Sequence, residues 1–420
     1  MDMHEQYPSV RKGLLQLIFS GSFMKRWNDK LRPVELVEVD KQAHKMFVAY
    51  ILYLLNSRDM PADERIRLGE EVIQGGVYEY LYRLVITDIK PPIFYRIKSN
   101  PEHYKQLTEW VLEQLQPRVQ PLGAHFWQGL CAYLQNPDDT GLAGKILNAA
   151  HIFASSWEFG LIKGVNPGDD ELKDIEANFE ELLKEHYDLA GMREIAGGSR
   201  NGLGGLVNLC GRLRFQKRWS QTPRIPETSV LGHMFIVACL AYFFSLSVGA
   251  CSSRRQNNFY AGLIHDLPEL LTRDIISPVK QSVQRIKDLI REYEQRELEQ
   301  RVFSLLDEPR YSELTGRLRY YLGGKDHSEF DNTVVKNGRV LSLGAEELHQ
   351  SYNRDEYDPR DGHLLKVCDN LAAFIEAYTA TRNGITNEQL QQAQWKIRNR
   401  YQRENLLGQV HIGALLADFD

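Results

Sequence analysis

Between His265 and Lys280 the chain reads HDLPELLTRDIISPVK. An imidazole and a carboxylate, His265 and Asp266, stand side by side, and a second carboxylate, Glu269, follows one helical turn after His265, on a similar face. Pro268 removes a hydrogen-bond donor from that turn and predicts a kink where Glu269 projects. Upstream, His233 stands at the head of an apolar run that continues from Met234 to Cys251, and downstream Asp369 opens the apolar stretch of KVCDNLAAF, which starts at Lys366. Any one of these residues alone reads as a packed or solvated side chain. Together, at the ends of three apolar segments, they call for a cation, because buried carboxylates need a counter-charge or hydrogen-bond partners.

Two imidazoles and two carboxylates form a mixed nitrogen and oxygen donor set suited to one divalent transition metal, Mn, Co, Fe, Ni or Zn. Such an ion lowers the pKa of coordinated water and polarises a phosphoryl oxygen, so hydrolysis needs no protein nucleophile. His233, His265, Asp266 and Asp369 are therefore the expected metal ligands. Glu269 is the expected general acid or base.

The bulk composition sets the frame. With 420 residues, 43% hydrophobic and 25% charged, the chain is long enough for two cored domains and too apolar to be disordered. A formal net charge of -5 gives no basic field for long nucleic acid or an anionic membrane. Five scattered cysteines without a CxxC pair suit reduced thiols in the cytoplasm. The apolar run at 234–251 falls just short of the roughly 20 residues that span a bilayer, and reads as a buried core helix.

Helical periodicity dominates, with long segments at 169–186, 281–306 and 387–404. The clearest strand signal is VVKNGRVL from Val334, where Asn-Gly between apolar flanks predicts a type I′ hairpin. Seven glycines between Gly191 and Gly211 read as a linker between two helical blocks. Those blocks resemble each other. LLQLIFSGSFMKRWNDKLR from Leu14 lies on LVNLCGRLRFQKRWSQTPR from Leu206, pairing Arg26-Trp27 with Arg218-Trp219. A three-residue gap then puts His44 on His233, a further block puts Glu79-Tyr80 on His265-Asp266, Arg83 on Glu269 and Asp88 on Asp274, and a last one puts Asn148 on Asp369. Four blocks in one order predict a duplication whose first copy has lost its ligands.

At these motifs the sequence resembles the HD-domain superfamily, most closely the bacterial HD-type 5′-deoxynucleotidases, over most of positions 206 to 400. The resemblance is carried by RWSQTPRIPETSVLGH, HDLPELLTRDIISPVK and KVCDNLAAFIEA. It implies an all-α protein of two tandem HD-domain bundles, 1–190 degenerate and 191–420 catalytic, with an insertion at about 281–362 that carries the hairpin together with Lys325, Asp326 and His327. It implies that Arg218 binds the substrate phosphate, a task suited to a planar guanidinium. Trp219 would pack near the sugar and Asp274 would accept from the 3′-hydroxyl, so the implied substrate is a small nucleotide, a (deoxy)nucleoside 5′-monophosphate. Arg273 stands where the family has glycine, and Gly232 where it has an acid before the first histidine. By the family's homodimers, the two copies are expected to form an internal pseudo-dimer. The alternatives are another HD hydrolase, such as a phosphodiesterase or guanosine tetraphosphate hydrolase, a di-iron oxygenase, and a non-catalytic nucleotide-binding regulator in which Arg26 and Arg218 both hold phosphate.

Overall fold

The structure, a computed structural model, describes residues 10–137, 141–272, 284–324 and 327–420. It is all-α apart from two small hairpins, as the sequence predicts. The first half contains α1 (Lys12–Ser20), α2 (Glu38–Asn56), α3 (Ala62–Ile86), α4 (Pro91–Lys98), α5 (Pro101–Val119), α6 (Ala124–Gln135), α7 (Gly141–Lys163) and α8 (Glu171–Lys184). After α9 (Met192–Ala196) and α10 (Gly202–Arg212) come α11 (Val230–Ser247), α12 (Ser252–Ile264), α13 (Glu269–Thr272), α14 (Gln284–Arg301) and α15 (Ser312–Leu322). The chain ends with strands β1 (Thr333–Lys336) and β2 (Arg339–Ser342), α16 (Ala345–Ser351), α17 (Gly362–Arg382), α18 (Glu388–Tyr401), a two-residue ladder of β3 (Asn405–Leu406) and β4 (Val410–His411), and α19 (Ile412–Ala417).

The hairpin forms where Asn-Gly demands it. Lys336 faces Arg339 across the turn. Asn337 and Gly338 take φ of 52° and 72°, the two positive values of a type I′ turn.

Helix α11 has no polar face, and 17 of its 18 residues are buried. It is the one described helix apolar and long enough to cross a membrane, yet it lies inside the protein, where α2, α12 and α17 cover it. Its start is fixed by Ser229, whose Oγ accepts from Gly232 N at 2.9 Å. The same hydroxyl donates to Asp40 Oδ1 on α2 at 2.6 Å. One apolar cluster runs continuously through both halves of the chain.

The glycine-rich stretch is not an open linker. It forms α9 and α10, and α10 packs on α2. Its glycines serve close approach: a Cβ at Gly211 would lie 2.8 Å from His44 Cε1 and one at Gly205 would lie 2.5 Å from Arg200 O. Gly232 is similar, since a Cβ there would meet Asp40 Oδ1 at 2.6 Å. An acid from the first half thus presses on the position just before His233.

Two segments 192 residues apart have the same local fold. Lys25 bridges to Val37 as Lys217 does to Ser229. Arg26 N donates to Leu36 O at 2.8 Å and Arg218 N to Thr228 O at 2.9 Å; Glu38 N donates to Met24 O and Val230 N to Gln216 O, both at 2.9 Å. Trp27 and Trp219 sit at φ of 56° and 57°, a left-handed conformation rare for an aromatic residue. The register continues into the helices, so Lys41, not His44, stands on α2 where His233 stands on α11. The three-residue gap introduced to align the histidines is incorrect. His44 points away, its Nε2 2.9 Å from Val207 O on α10 and its ring against Trp157.

Candidate metal centre

Four elements converge at the end of α11. His233 lies in its first turn, His265 caps the end of α12, Asp266 begins the turn before α13, and Asp369 projects from α17. Nε2 of His233 is 3.1 Å from Asp369 Oδ1 and 3.9 Å from Asp266 Oδ2, and Nε2 of His265 is 3.3 Å from the same Asp266 oxygen. The donor atoms of His233, His265 and Asp266 all lie within 4.8 Å of one another. The four predicted ligands are therefore brought together.

The donor set fits a divalent cation. Nδ1 of His265 is 2.8 Å from Gly262 O. That contact holds the proton on Nδ1 and leaves the lone pair of Nε2 facing the carboxylates. Nε2 is buried and makes no hydrogen bond of good geometry, an uncommitted donor aimed at the shared centre. Burial alone would lower the His265 pKa, but the adjacent Asp266 carboxylate outweighs it and lifts the value to about 9. Burial likewise works against the charged forms of Asp266 and Asp369. The His265 imidazole beside Asp266, and Lys366 beside Asp369, hold both carboxyls well below the usual carboxylate range.

The helix carrying His265 stops there, as Pro268 predicts, and α13 starts anew with Glu269 as its first residue, fixed by Glu269 N donating to Asp266 O at 3.0 Å. Glu269 is buried and lines one cleft with His265 and Asp266. Arg218 reaches the same place, with Nη1 3.4 Å from Asp266 Oδ2. The indole of Trp219 donates to Glu376 Oε2 at 2.7 Å and packs on the cluster of Ala377, Ala380 and Leu390. Asp274 and Arg273 lie outside the described residues, as do Lys325 and Asp326 of the insertion.

The expected insertion contributes to this cleft. Arg291, Glu294 and Gln295 of α14, with Gly323, Gly324 and Glu329 after α15, line the cleft together with His265, Asp266 and Glu269. Two polar partners were missed. Lys366 donates to Asp369 Oδ2 at 2.8 Å while its ammonium lies over the Phe330 ring. Glu376, fully buried, lies 3.3 Å from His233 Nδ1 and 3.4 Å from Arg218 Nε, and accepts from Thr228 Oγ1 at 3.0 Å. Its signal in the sequence is a lone carboxylate inside the apolar stretch LAAFIEAYTA, two helical turns after Asp369 and so on the same face.

The corresponding place in the first half is filled differently. Glu158 accepts from Arg26 Nε at 2.8 Å and Trp27 Nε1 at 3.1 Å, as Glu376 faces Arg218 and Trp219. Two turns before Glu158 stands His151, so it is His151 and not Asn148 that occupies the position of Asp369. Lys41 Nζ and His151 Nδ1 are 2.6 Å apart, in the arrangement His233 has with Asp369. Asn148 instead approaches His186 at 3.2 Å. Tyr80, aligned with Asp266, donates to Ile18 O in the core, and Glu79, aligned with His265, pairs with Lys45. Arg83, aligned with Glu269, faces Glu38 and Asp88. The guanidinium of Arg26 is held by Glu38 at 2.7 Å and by Glu158, so its charge is already answered within the protein. An amine where a ligand should be repels a cation.

The family model described as an HD domain (HD_3) matches residues 210–398. This segment is thus similar to HD domains. HD domains are in general metal-dependent phosphohydrolases that bind divalent ions, and the matched segment contains every member of the donor set at the end of α11. Comparisons with curated proteins and with solved structures gave no match.

Proposed function

We propose that the HD domain hydrolyses phosphomonoesters, with (deoxy)nucleoside 5′-monophosphates as substrates and nucleoside and phosphate as products. The observation that carries this reading is the guanidinium of Arg218 set 3.4 Å from Asp266, beside a His, His, Asp, Asp cluster in one cleft. His233, His265, Asp266 and Asp369 would hold one divalent transition metal. When bound, that ion supplies Lewis-acid polarisation of the phosphoryl group and a lowered water pKa. Arg218 receives two phosphate oxygens through its planar fork. Glu269 exchanges the proton between water and the departing ester oxygen. Trp219 holds the turn that presents Arg218, and Asp274 is assigned the sugar 3′-hydroxyl on the family resemblance.

We further infer that the chain is a duplication, 1–190 and 191–420, in which the first half has become a fixed partner of the second, an internal pseudo-dimer. The matched hydrogen bonds 192 residues apart support it, as do the Ser229–Asp40 contact and the ion pair of Arg214 with Glu158 at 2.8 Å. The five free cysteines suit a reducing cytoplasm.

The test is elemental analysis of the purified protein with phosphate release from a panel of nucleoside monophosphates, phosphodiesters and guanosine tetraphosphate. Near-stoichiometric transition metal and turnover of monophosphates are expected, both lost in Asp266→Ala. Turnover confined to diesters or tetraphosphate would reassign the substrate. Asp266→Ala with unaltered metal and turnover would end the reading.

A further inference from the structure

Glu376 is a carboxylate outside the expected ligand set that touches both kinds of working residue. One of its oxygens lies 3.3 Å from Nδ1 of His233, a buried atom that makes no hydrogen bond of good geometry among the described residues and has this carboxylate beside it. The same carboxylate faces Nε of Arg218 at 3.4 Å and accepts from Trp219 Nε1 at 2.7 Å and Thr228 Oγ1 at 3.0 Å. It is wholly buried, so water does not compete for these contacts.

We propose that Glu376 is a positioning residue that sets the metal ligand His233 and the phosphate anchor Arg218 at the same time. The inference rests on the metal-site reading above. Its logic is geometric. An imidazole with Nδ1–H directed at a carboxylate has its Nε2 lone pair free, and here Nε2 is the atom facing Asp266 and Asp369. A guanidinium gripped through Nε has its terminal nitrogens turned away from that grip, and here Nη1 faces Asp266 at the candidate metal centre. One side chain thus fixes the tautomer and ring orientation of a ligand and aims the fork that would receive the substrate. The first half supplies the contrast. Glu158 grips Arg26 and Trp27 in the same way, with the Arg214 guanidinium as a further partner. The residue at the His233 position there is Lys41, so Glu158 holds the arginine-tryptophan turn with no metal ligand to orient.

The pair gives a controlled experiment in the full-length protein. Glu376→Gln and Glu158→Gln are compared with wild type by direct titration of the metal-free protein with Mn²⁺ or Co²⁺ and by thermal unfolding. A glutamine keeps the volume but cannot accept from the imidazole, the indole and the hydroxyl together. The proposal expects Glu376→Gln to weaken metal binding 10- to 100-fold, the usual size of an outer partner's effect. Glu158→Gln is expected to lower thermal stability and leave metal affinity unchanged. Equal metal affinity in wild type and Glu376→Gln, or equal loss in both variants, would reduce Glu376 to a support of the fold. Should Glu376→Gln not fold, the wild type still decides: ¹⁵N spectra of its histidines must show His233 protonated at Nδ1 and ligated through Nε2, and the opposite tautomer overturns the proposal. A wild type that takes up no metal removes the site reading itself, a result distinct from normal uptake with an unaffected variant.

Discussion

Glu38 is a carboxylate without solvent, 2.7 Å from Arg26 and 3.4 Å from Arg83. Burial alone would raise its pKa; Arg26 first, then Lys41 and Arg83, outweigh burial and hold it at about 2 against an ordinary 4.5. A lowered carboxylate pKa contributes stability that is complete above about pH 4.5 and disappears as pH falls towards 2. The contribution is roughly 3 kcal/mol at 1.36 kcal/mol per unit. Urea unfolding of Glu38→Gln is therefore expected to show lower stability at pH 7 and a shallower decline between pH 4.5 and 2 than wild type. Identical slopes would mean that other groups govern acid unfolding. Glu269 makes the complementary case within the cleft. If it carries the proton, Glu269→Gln should lower kcat by roughly 10²- to 10⁴-fold while the metal content stays at the wild-type level. Loss of the metal along with turnover would assign it to holding the ion instead.

At the scale of the element, α11 and α12 meet so closely that Gly262 has no space for a side chain. A Cβ there would lie 2.8 Å from Ala238 Cα and 2.9 Å from Ala238 N, backbone atoms that cannot step aside. Gly262→Ala is expected to destabilise the protein by about 1–3 kcal/mol in urea unfolding. It should also weaken metal binding, because Gly262 O is the acceptor that orients His265. Unchanged stability would show that the two helices can separate without cost. The same scale explains what could be read without coordinates. The hairpin was legible because Asn337-Gly338 admits few turns, and the ligand positions because imidazole and carboxylate interrupt apolar helices. The register of the first half was not. Aligning like with like put His44 on His233, whereas the backbone places Lys41 there and His151 opposite Asp369, substitutions that no residue-matching rule rewards. Glu376 was missed for a related reason: a glutamate in an apolar helix shows its partners only once Arg218, Trp219 and Thr228, about 150 residues away in sequence, are folded against it.

For the molecule as a whole, the question is whether the second half of the chain stands without the first. Phe235 packs edge-on against Tyr80 at 5.0 Å between ring centres and Phe243 edge-on against Phe126 at 5.8 Å, while Tyr260 lies tilted against Tyr50 at 4.1 Å. Each pair joins the second half to the first, and all three second-half rings are wholly or almost wholly buried. Uncovering large apolar side chains costs roughly 1.5–3 kcal/mol apiece, against a total stability for a typical domain of about 5–15 kcal/mol. Three such rings, together with the Ser229–Asp40 and Arg214–Glu158 contacts, approach that whole margin. Residues 200–420 expressed alone should therefore collect in the insoluble fraction or lack a cooperative thermal transition. Coexpression with residues 1–199 should return a soluble, metal-loaded complex that elutes as one species. The two outcomes separate a supporting half from a dispensable one: a soluble 200–420 fragment, monomeric on size exclusion and releasing phosphate at the full-length rate, would show that the apolar surface of α11 closes over without α2 and that the first half has another task.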